Sequence, residues 1–125
     1  MGYVNEDFQK QYQKDWYQDN KDRLRENRKR NKYKWRYNQP WSYRQDLFER
    51  QNGQCAICST NIDLESCHQD HDHTCCDVGW GKTCGNCLRG LLCEGCNRGI
   101  GCFKDSPDAL LAAIDYLSGH ARVRT

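Results

Sequence analysis

Cys55-Ala56-Ile57-Cys58, Asp70-His71-Asp72-His73 and Cys93-Glu94-Gly95-Cys96-Asn97 follow one another in the middle of the chain. Two CxxC pairs frame a run of ionisable residues. Each CxxC turn points two thiolates at one place, and two such turns make a tetrahedral four-thiolate site suited to zinc. The Asp/His run and Asn97 offer harder ligands, suited to a hard cation and an activated water. Bound zinc at Cys55, Cys58, Cys93 and Cys96 would fix the ends of the intervening segment and hold the run in place. The stretch predicts a small, zinc-stapled α+β unit.

Spacing alone does not select this pairing, because Cys84-Gly85-Asn86-Cys87 is a third CxxC. With Cys75-Cys76 it supplies four more thiols. A second, smaller zinc site is the expected reading of these four, against a disulfide or a set of free thiols. Adjacent cysteines are awkward as co-ligands, so His73 is an alternative ligand. Cys67 and Cys102 are left over. Cys102, beside Ile100 and Phe103, is expected to be a buried small hydrophobe.

The composition agrees with a stapled fold. The chain has 125 residues, 37% of them hydrophobic, and a mean hydropathy of -1.07. Such a chain builds only a small core, and metal or disulfides must supplement it. The N-terminal residues show no apolar signal region, and no apolar run approaches membrane-spanning length. A reducing, cytoplasmic setting is expected, where CxxC pairs read as metal ligands before disulfides.

The net charge of +2 hides a strong asymmetry. Residues 21–44 carry ten Lys/Arg against two acids, a formal +8. Residues 45–125 carry seven basic and eleven acidic residues, a formal -4. A basic arm on an acidic body predicts a polyanion partner, with nucleic acid as the expectation. Residues 3–38 contain no Gly or Pro and read as one long helix or two shorter ones. Phe8, Tyr12 and Trp16 share a helical face, and Glu6–Lys10 and Glu26–Arg30 are supporting pairs. Tyr33, Trp35 and Tyr37 alternate with Lys34 and Arg36, so the helix is expected to fray there. Arg28, Lys29, Arg30, Lys32, Lys34 and Arg36 are the expected phosphate contacts. A solvated helix is the plainer reading, and disorder until DNA is present is another.

Asn38-Gln39-Pro40 ends this segment. A helix of about ten residues follows, with Ser42 as its expected cap and Asn52-Gly53 as its stop. Residues 67–73 and Leu88–Leu92 are the expected strands, and a helix starts near Cys93–Asn97. Pro107 opens the last helix. Its apolar stripe is Leu110, Leu111, Ile114 and Leu117, and Gly119 is its expected end.

Phosphodiester hydrolysis needs a water nucleophile, a base, a Lewis acid and charge stabilisation. His71, with an ordinary pKa of about 6.5, suits the base. Asp70 offers hard oxygen to Mg²⁺. On a regular strand Asp70 and Asp72 would face away from His71 and His73, so the run must twist or end here.

Residues from about Gln51 to Leu117 resemble the phage recombination endonuclease VII family, a branch of the His-Me finger (ββα-metal, HNH-like) nucleases. The matching pieces are Gln51-Asn-Gly-Gln-Cys-Ala-Ile-Cys58, His68-Gln-Asp-His-Asp-His73 and Arg89-Gly-Leu-Leu-Cys-Glu-Gly-Cys-Asn-Arg-Gly-Ile-Gly101, followed by the helix ending near Leu117. The resemblance implies structural zinc at Cys55, Cys58, Cys93 and Cys96. It implies catalytic Mg²⁺, or Mn²⁺ in its place, held by Asp70 and Asn97, with His71 as general base. His73, together with His68, would contact the scissile phosphate. Arg89 and Arg98 are added on charge as phosphate contacts, against a reading as solvated cations. The implied fold is a ββα-metal finger with flanking helices and a basic N-terminal helical arm.

The expected organisation is an arm over 1–40 and a nuclease domain over 41–125. A cysteine-rich insert at 74–87 replaces the family's short hairpin link. The sequence given ends at Thr125, short of the long C-terminal extension the resemblance associates with junction binding, so the expectation is phosphodiester cleavage and not junction resolution. The expected function is Mg²⁺-dependent nicking of duplex or branched DNA, with a homodimer where paired cuts are made. A phage gene product would act in the bacterial host cytoplasm. The alternative is a non-catalytic, zinc-stapled DNA-binding module.

Overall fold

A computed structural model describes residues 5–76 and 79–123, with side chains to Gly119 in the last helix. Residues 1–4 of the expected arm, 77–78 of the expected insert and the terminal pair 124–125 lie outside the described part. Four helices and one two-stranded sheet are formed, in the order α1 (Glu6–Tyr37), α2 (Trp41–Arg50), β1 (His68–His71), β2 (Leu88–Leu92), α3 (Glu94–Cys102) and α4 (Pro107–Val123). No helix among the described residues is long and apolar enough to cross a membrane.

α1 is one continuous helix. The Asn5 side chain caps its start by accepting from the Asp7 N–H at 3.0 Å, and Glu6 and Asp7 sit favourably in the first turn. Asn38 ends it in the left-handed region, φ 50°. The fraying expected at residues 33–37 does not occur. Tyr33 is buried there, its ring 4.8 Å from that of Tyr37 and 5.3 Å from that of Trp41. Packing overrides the local period of two. Glu26 pairs with Lys29 rather than Arg30, and no ion pair joins Glu6 to Lys10 among the described residues. Phe8, Tyr12 and Trp16 are exposed.

Pro40, not Ser42, occupies the cap position of α2, and no side chain caps that end. Gly53 follows the helix at φ 65°, and a Cβ there would stand 3.2 Å from the Phe48 ring. Arg44, from α2, is buried. Its guanidinium donates to the Leu64 carbonyl at 2.8 Å and the Cys67 carbonyl at 2.6 Å. It thereby ties the loop before β1 to the helix and satisfies two carbonyls that would otherwise be costly.

β1 and β2 pair antiparallel, with His68 opposite Leu92, Gln69 opposite Leu91 and His71 opposite Leu88. Asp70 alone faces Arg89 and Gly90, so the register slips by one residue: a bulge that bends β2. Gln51 extends the sheet with its side chain. Its Oε1 accepts from the Leu91 N–H at 2.9 Å, and its Nε2 donates to the Leu91 carbonyl at 2.9 Å. Gly90 permits this approach, since a Cβ there would lie 3.0 Å from that of Ala56.

The core is as small as the composition predicts. Among the described residues, the buried apolar side chains are Tyr33, Cys55, Cys87, Leu91 and Leu92. Two expectations fail outside it. Cys102 is exposed, because the short α3 turns its flank to solvent. α4 starts at Pro107, with Ser106 Oγ accepting from the Ala109 N–H, but it continues through Gly119 to Val123. A single glycine costs a helix only about 1 kcal/mol. The stripe residues Leu111, Ile114 and Leu117 are exposed.

Candidate active site and metal centres

The thiols gather into two tetrads. Cys55, Cys58, Cys93 and Cys96 form one, and Cys75, Cys76, Cys84 and Cys87 the other, with all sulfurs of a group within 4.8 Å of one another. Four sulfurs at about 2.3 Å from a tetrahedral zinc stand about 3.8 Å apart. Cys58 and Cys93 are 3.7 Å apart, Cys75 and Cys84 4.0 Å, and Cys76 and Cys87 3.9 Å. Both sets suit a metal, and all ten cysteines are free thiols. The adjacent pair Cys75-Cys76 serves one tetrad, and His73 is not its substitute.

The acidities agree. Burial opposes ionisation of Cys55, but N–H donors from Cys58, Cys93 and Ile57 outweigh it and bring the thiol down to about 6. The Cys93 sulfur pushes Cys96 up to about 12. In the second tetrad the Asn86 N–H brings Cys84 to about 7, while burial drives Cys87 to about 12. Some sulfurs are poised as thiolates and their neighbours are penalised for joining them. A dication at the centre removes that penalty.

The Asp/His run lies at the sheet's open end. β1 stops at His71, and Asp72 folds back so that its carboxylate accepts from the Thr74 N–H at 2.9 Å and hydroxyl at 2.7 Å. The run therefore ends its strand, and strict alternation does not apply. Asp70 is buried, and Arg89 grips it with Nε at 2.5 Å and Nη2 at 3.1 Å. The same Nη2 donates to the Asp105 carboxylate at 3.1 Å. Asp105 also meets His73 Nδ1 at 2.8 Å. The His73 bond holds the Asp105 carboxyl below its ordinary range, and a carboxylate only accepts. His73 Nδ1 is therefore the donor. The His71 and His73 rings touch in a tilted arrangement, their centroids 4.3 Å apart and their planes at 52°. Burial, then His73, lowers the His71 pKa from its ordinary 6.5.

One groove collects Asp70, His71, His73 and Asn97, with His68 beside them. Asn97 is presented by the first turns of α3, which Cys93 caps through the Cys96 N–H. Its side-chain amide makes no hydrogen bond among the described residues. The opposite wall is α1, through Lys29, Lys32, Tyr33 and Arg36. The two walls are joined by the Tyr33 hydroxyl, which donates to Gln69 Oε1 at 2.8 Å. Lys32 and Arg36 have no acidic partner among the described residues.

The other expected phosphate contacts are scattered. Lys29 is bound to Glu65 at 2.6 Å and Glu26 at 3.0 Å. Arg30 and Lys34 lie together on another side of α1, near Trp41, and Arg28 lies with Lys21 and Arg25. Arg89 is committed to Asp70 and Asp105. Arg98 is exposed and pairs with Glu94 at 2.6 Å. Sequence reasoning missed Asp105, whose place before Ser106-Pro107 reads as helix-start chemistry, and missed the Tyr33–Gln69 join, which no local pattern signals.

The class is a small α+β fold with two cysteine tetrads that could each hold a metal ion and a cation-walled groove over Asp, His and Asn. The comparison with protein families is more specific: the recombination endonuclease VII family matches residues 26–119. The chain belongs to that family, which places it among the endonucleases for DNA. No curated protein matches it.

Proposed function

We propose that the protein is a Mg²⁺-dependent DNA endonuclease of the ββα-metal (His-Me finger) type. The observation that carries the reading is the meeting of Asp70, His71, His73 and Asn97 in one groove whose far wall carries Lys32 and Arg36. A pure binding module needs the cations but not the Asp/His/Asn set.

The donor set fits a hard dication. Asp70 supplies a buried carboxylate and Asn97 an amide with no hydrogen-bond partner among the described residues, both oxygen donors. When bound, Mg²⁺ or Mn²⁺ there supplies Lewis-acid stabilisation of charge on the phosphate. Arg89 orients Asp70 and limits its swing. His71, kept neutral near pH 7 by burial, accepts the proton of the attacking water. His73, fixed by Asp105, offers Nε2 to the phosphate, and His68 stands beside it. Lys32 and Arg36 neutralise flanking phosphates, with Arg28, Arg30 and Lys34 extending contact along the arm. Arg98 is a peripheral cation. The arm comprises residues 1–40 and the nuclease domain 41–125, with the last turns of the arm forming part of the groove. Zinc in the first tetrad holds the hairpin and α3. One groove cuts one strand, and paired cuts need two copies of the chain.

Asp105→Asn tests the wiring. Loss of the carboxylate frees the His73 tautomer and loosens Arg89, and a supporting partner of this kind is worth about 10–100-fold. The expected result is that fall in single-turnover cleavage of labelled duplex, with a less than additive fall when His73→Ala is added, since the two changes share the His73–Asp105 contact. Full additivity of the two changes would separate Asp105 from His73. No cleavage by the folded wild type would overturn the enzyme reading.

A further inference from the structure

The second tetrad does something the first does not: its loop grips the end of α1. The Thr83 N–H donates to the Arg36 carbonyl at 2.8 Å, and the Thr83 hydroxyl donates to the Tyr37 carbonyl at 3.2 Å. In return Asn38 Nδ2 donates to the Cys84 carbonyl at 3.0 Å, and Gln39 Nε2 to the Gly85 carbonyl at 3.0 Å. The last carbonyls of a helix lack partners inside it, and here a loop supplies donors to them. Thr83 is buried in doing so. Gly85 has φ 90°, and a Cβ there would come within 2.8 Å of the Asn38 backbone oxygen. Only glycine allows this approach. Lys82 adds a cation 4.4 Å from the centre of the Trp35 ring.

Every one of these contacts is made by Cys84 or by residues within two positions of it. Cys84 is a member of the tetrad, so the loop's shape and the metal are linked through one residue. The contacts sit at Arg36 and one turn beyond Lys32, the α1 cations of the groove wall that have no acidic partner among the described residues. α1 is thus held along its C-terminal half: Lys29 pairs with Glu65, Tyr33 pins the helix to Gln69 in the groove wall, and the loop pins its end. The loop is the attachment at the end that carries Arg36, so it fixes the direction of the last turns.

We propose that zinc at Cys75, Cys76, Cys84 and Cys87 is a clamp that locks the basic helix over the groove, so that occupancy of this site sets DNA affinity. It is not needed for the body to fold or for the chemical step. The inference rests on the reading of α1 as the DNA-binding arm.

Three proteins test it: wild type, Cys75→Ser/Cys84→Ser, and Gly85→Ala. The readouts are zinc per chain, thermal melting, amide exchange at residues 36–39 and duplex binding across a salt series. Wild type is expected to hold two zinc ions, the double variant one, and Gly85→Ala two. Both variants are expected to melt cooperatively, to exchange faster at residues 36–39 and to bind duplex about tenfold more weakly at low salt. Their slope of log affinity against log salt is expected to drop by about 2, since Lys32 and Arg36 each contribute about 0.9. Cleavage at saturating DNA is expected to stay within about threefold of wild type, the pattern of lost ground-state binding.

One zinc in wild type overturns the proposal. So does unchanged affinity and slope in either variant, or loss of the cooperative melt in the double variant, which would make the site a folding staple. A wild type that binds no DNA overturns arm and clamp together. A wild type that binds as expected yet cuts nothing overturns the nuclease reading alone, because the zinc, exchange and binding readouts do not depend on cleavage.

Discussion

His71→Ala lowers the single-turnover rate of DNA cleavage by about 10²–10⁴, the range a lost general base commands, and leaves zinc content and melting temperature unchanged. Two observations carry this expectation. The His71 ring makes no hydrogen bond among the described residues, and it meets His73 at a tilt in the groove, so its removal costs the fold little. Its pKa is lowered by burial and by His73, so at neutral pH the ring is free to accept a proton. A divalent cation at the neighbouring Asp70 acts with the same sign. Retained cleavage in the variant would move the base role elsewhere. Lost cleavage with lost folding would make His71 structural.

The second large effect is on stability. Cys55→Ser, or removal of zinc by a chelator under reducing conditions, abolishes the cooperative melt of the body. Among the described residues the buried apolar set is five side chains, two of them cysteines of the tetrads. A domain's net stability is about 5–15 kcal/mol, while a structural zinc site contributes about 10–16 kcal/mol at neutral pH. The ion therefore outweighs the margin. Circular dichroism in the aromatic region and a thermal scan, with zinc measured on the same sample, check this. A zinc-free protein with an unchanged transition would contradict it.

The contrast between legible and illegible features follows the range of the forces involved. The CxxC pairs state their turn geometry locally, and the structure gathers Cys55, Cys58, Cys93 and Cys96 into one tetrad, a pairing that spacing alone does not select over the third CxxC. The unbroken helix-forming stretch before Asn38 and the Pro107 start of α4 are likewise local signals. Tyr33 shows the limit. Its alternation with Trp35 and Tyr37 suggested fraying, yet its burial against Gln69 and Trp41 holds the helix together. That partner lies in a strand far along the chain, and no periodicity encodes it. Asp105 and Arg89 show the same limit in the site. Each has a plausible local role, as a helix-start residue and as a free cation, and each is drawn into one network with Asp70 and His73. A second metal site is the expected reading of Cys75, Cys76, Cys84 and Cys87 although adjacent cysteines are awkward co-ligands, and a turn at residues 73–75 brings Cys75 and Cys76 to one tetrad. Leu111, Ile114 and Leu117 kept their helical spacing without the burial that spacing suggests.

The most direct measurement is the conversion of supercoiled plasmid and a labelled four-way junction by zinc-loaded wild-type protein, in Mg²⁺ and in Mg²⁺ quenched with excess EDTA. The account predicts nicked product in Mg²⁺ and none after quenching on the time scale of the assay, and the faster substrate identifies the preferred DNA. No cutting of either DNA by folded, zinc-loaded protein, or equal cutting with and without Mg²⁺, would contradict it.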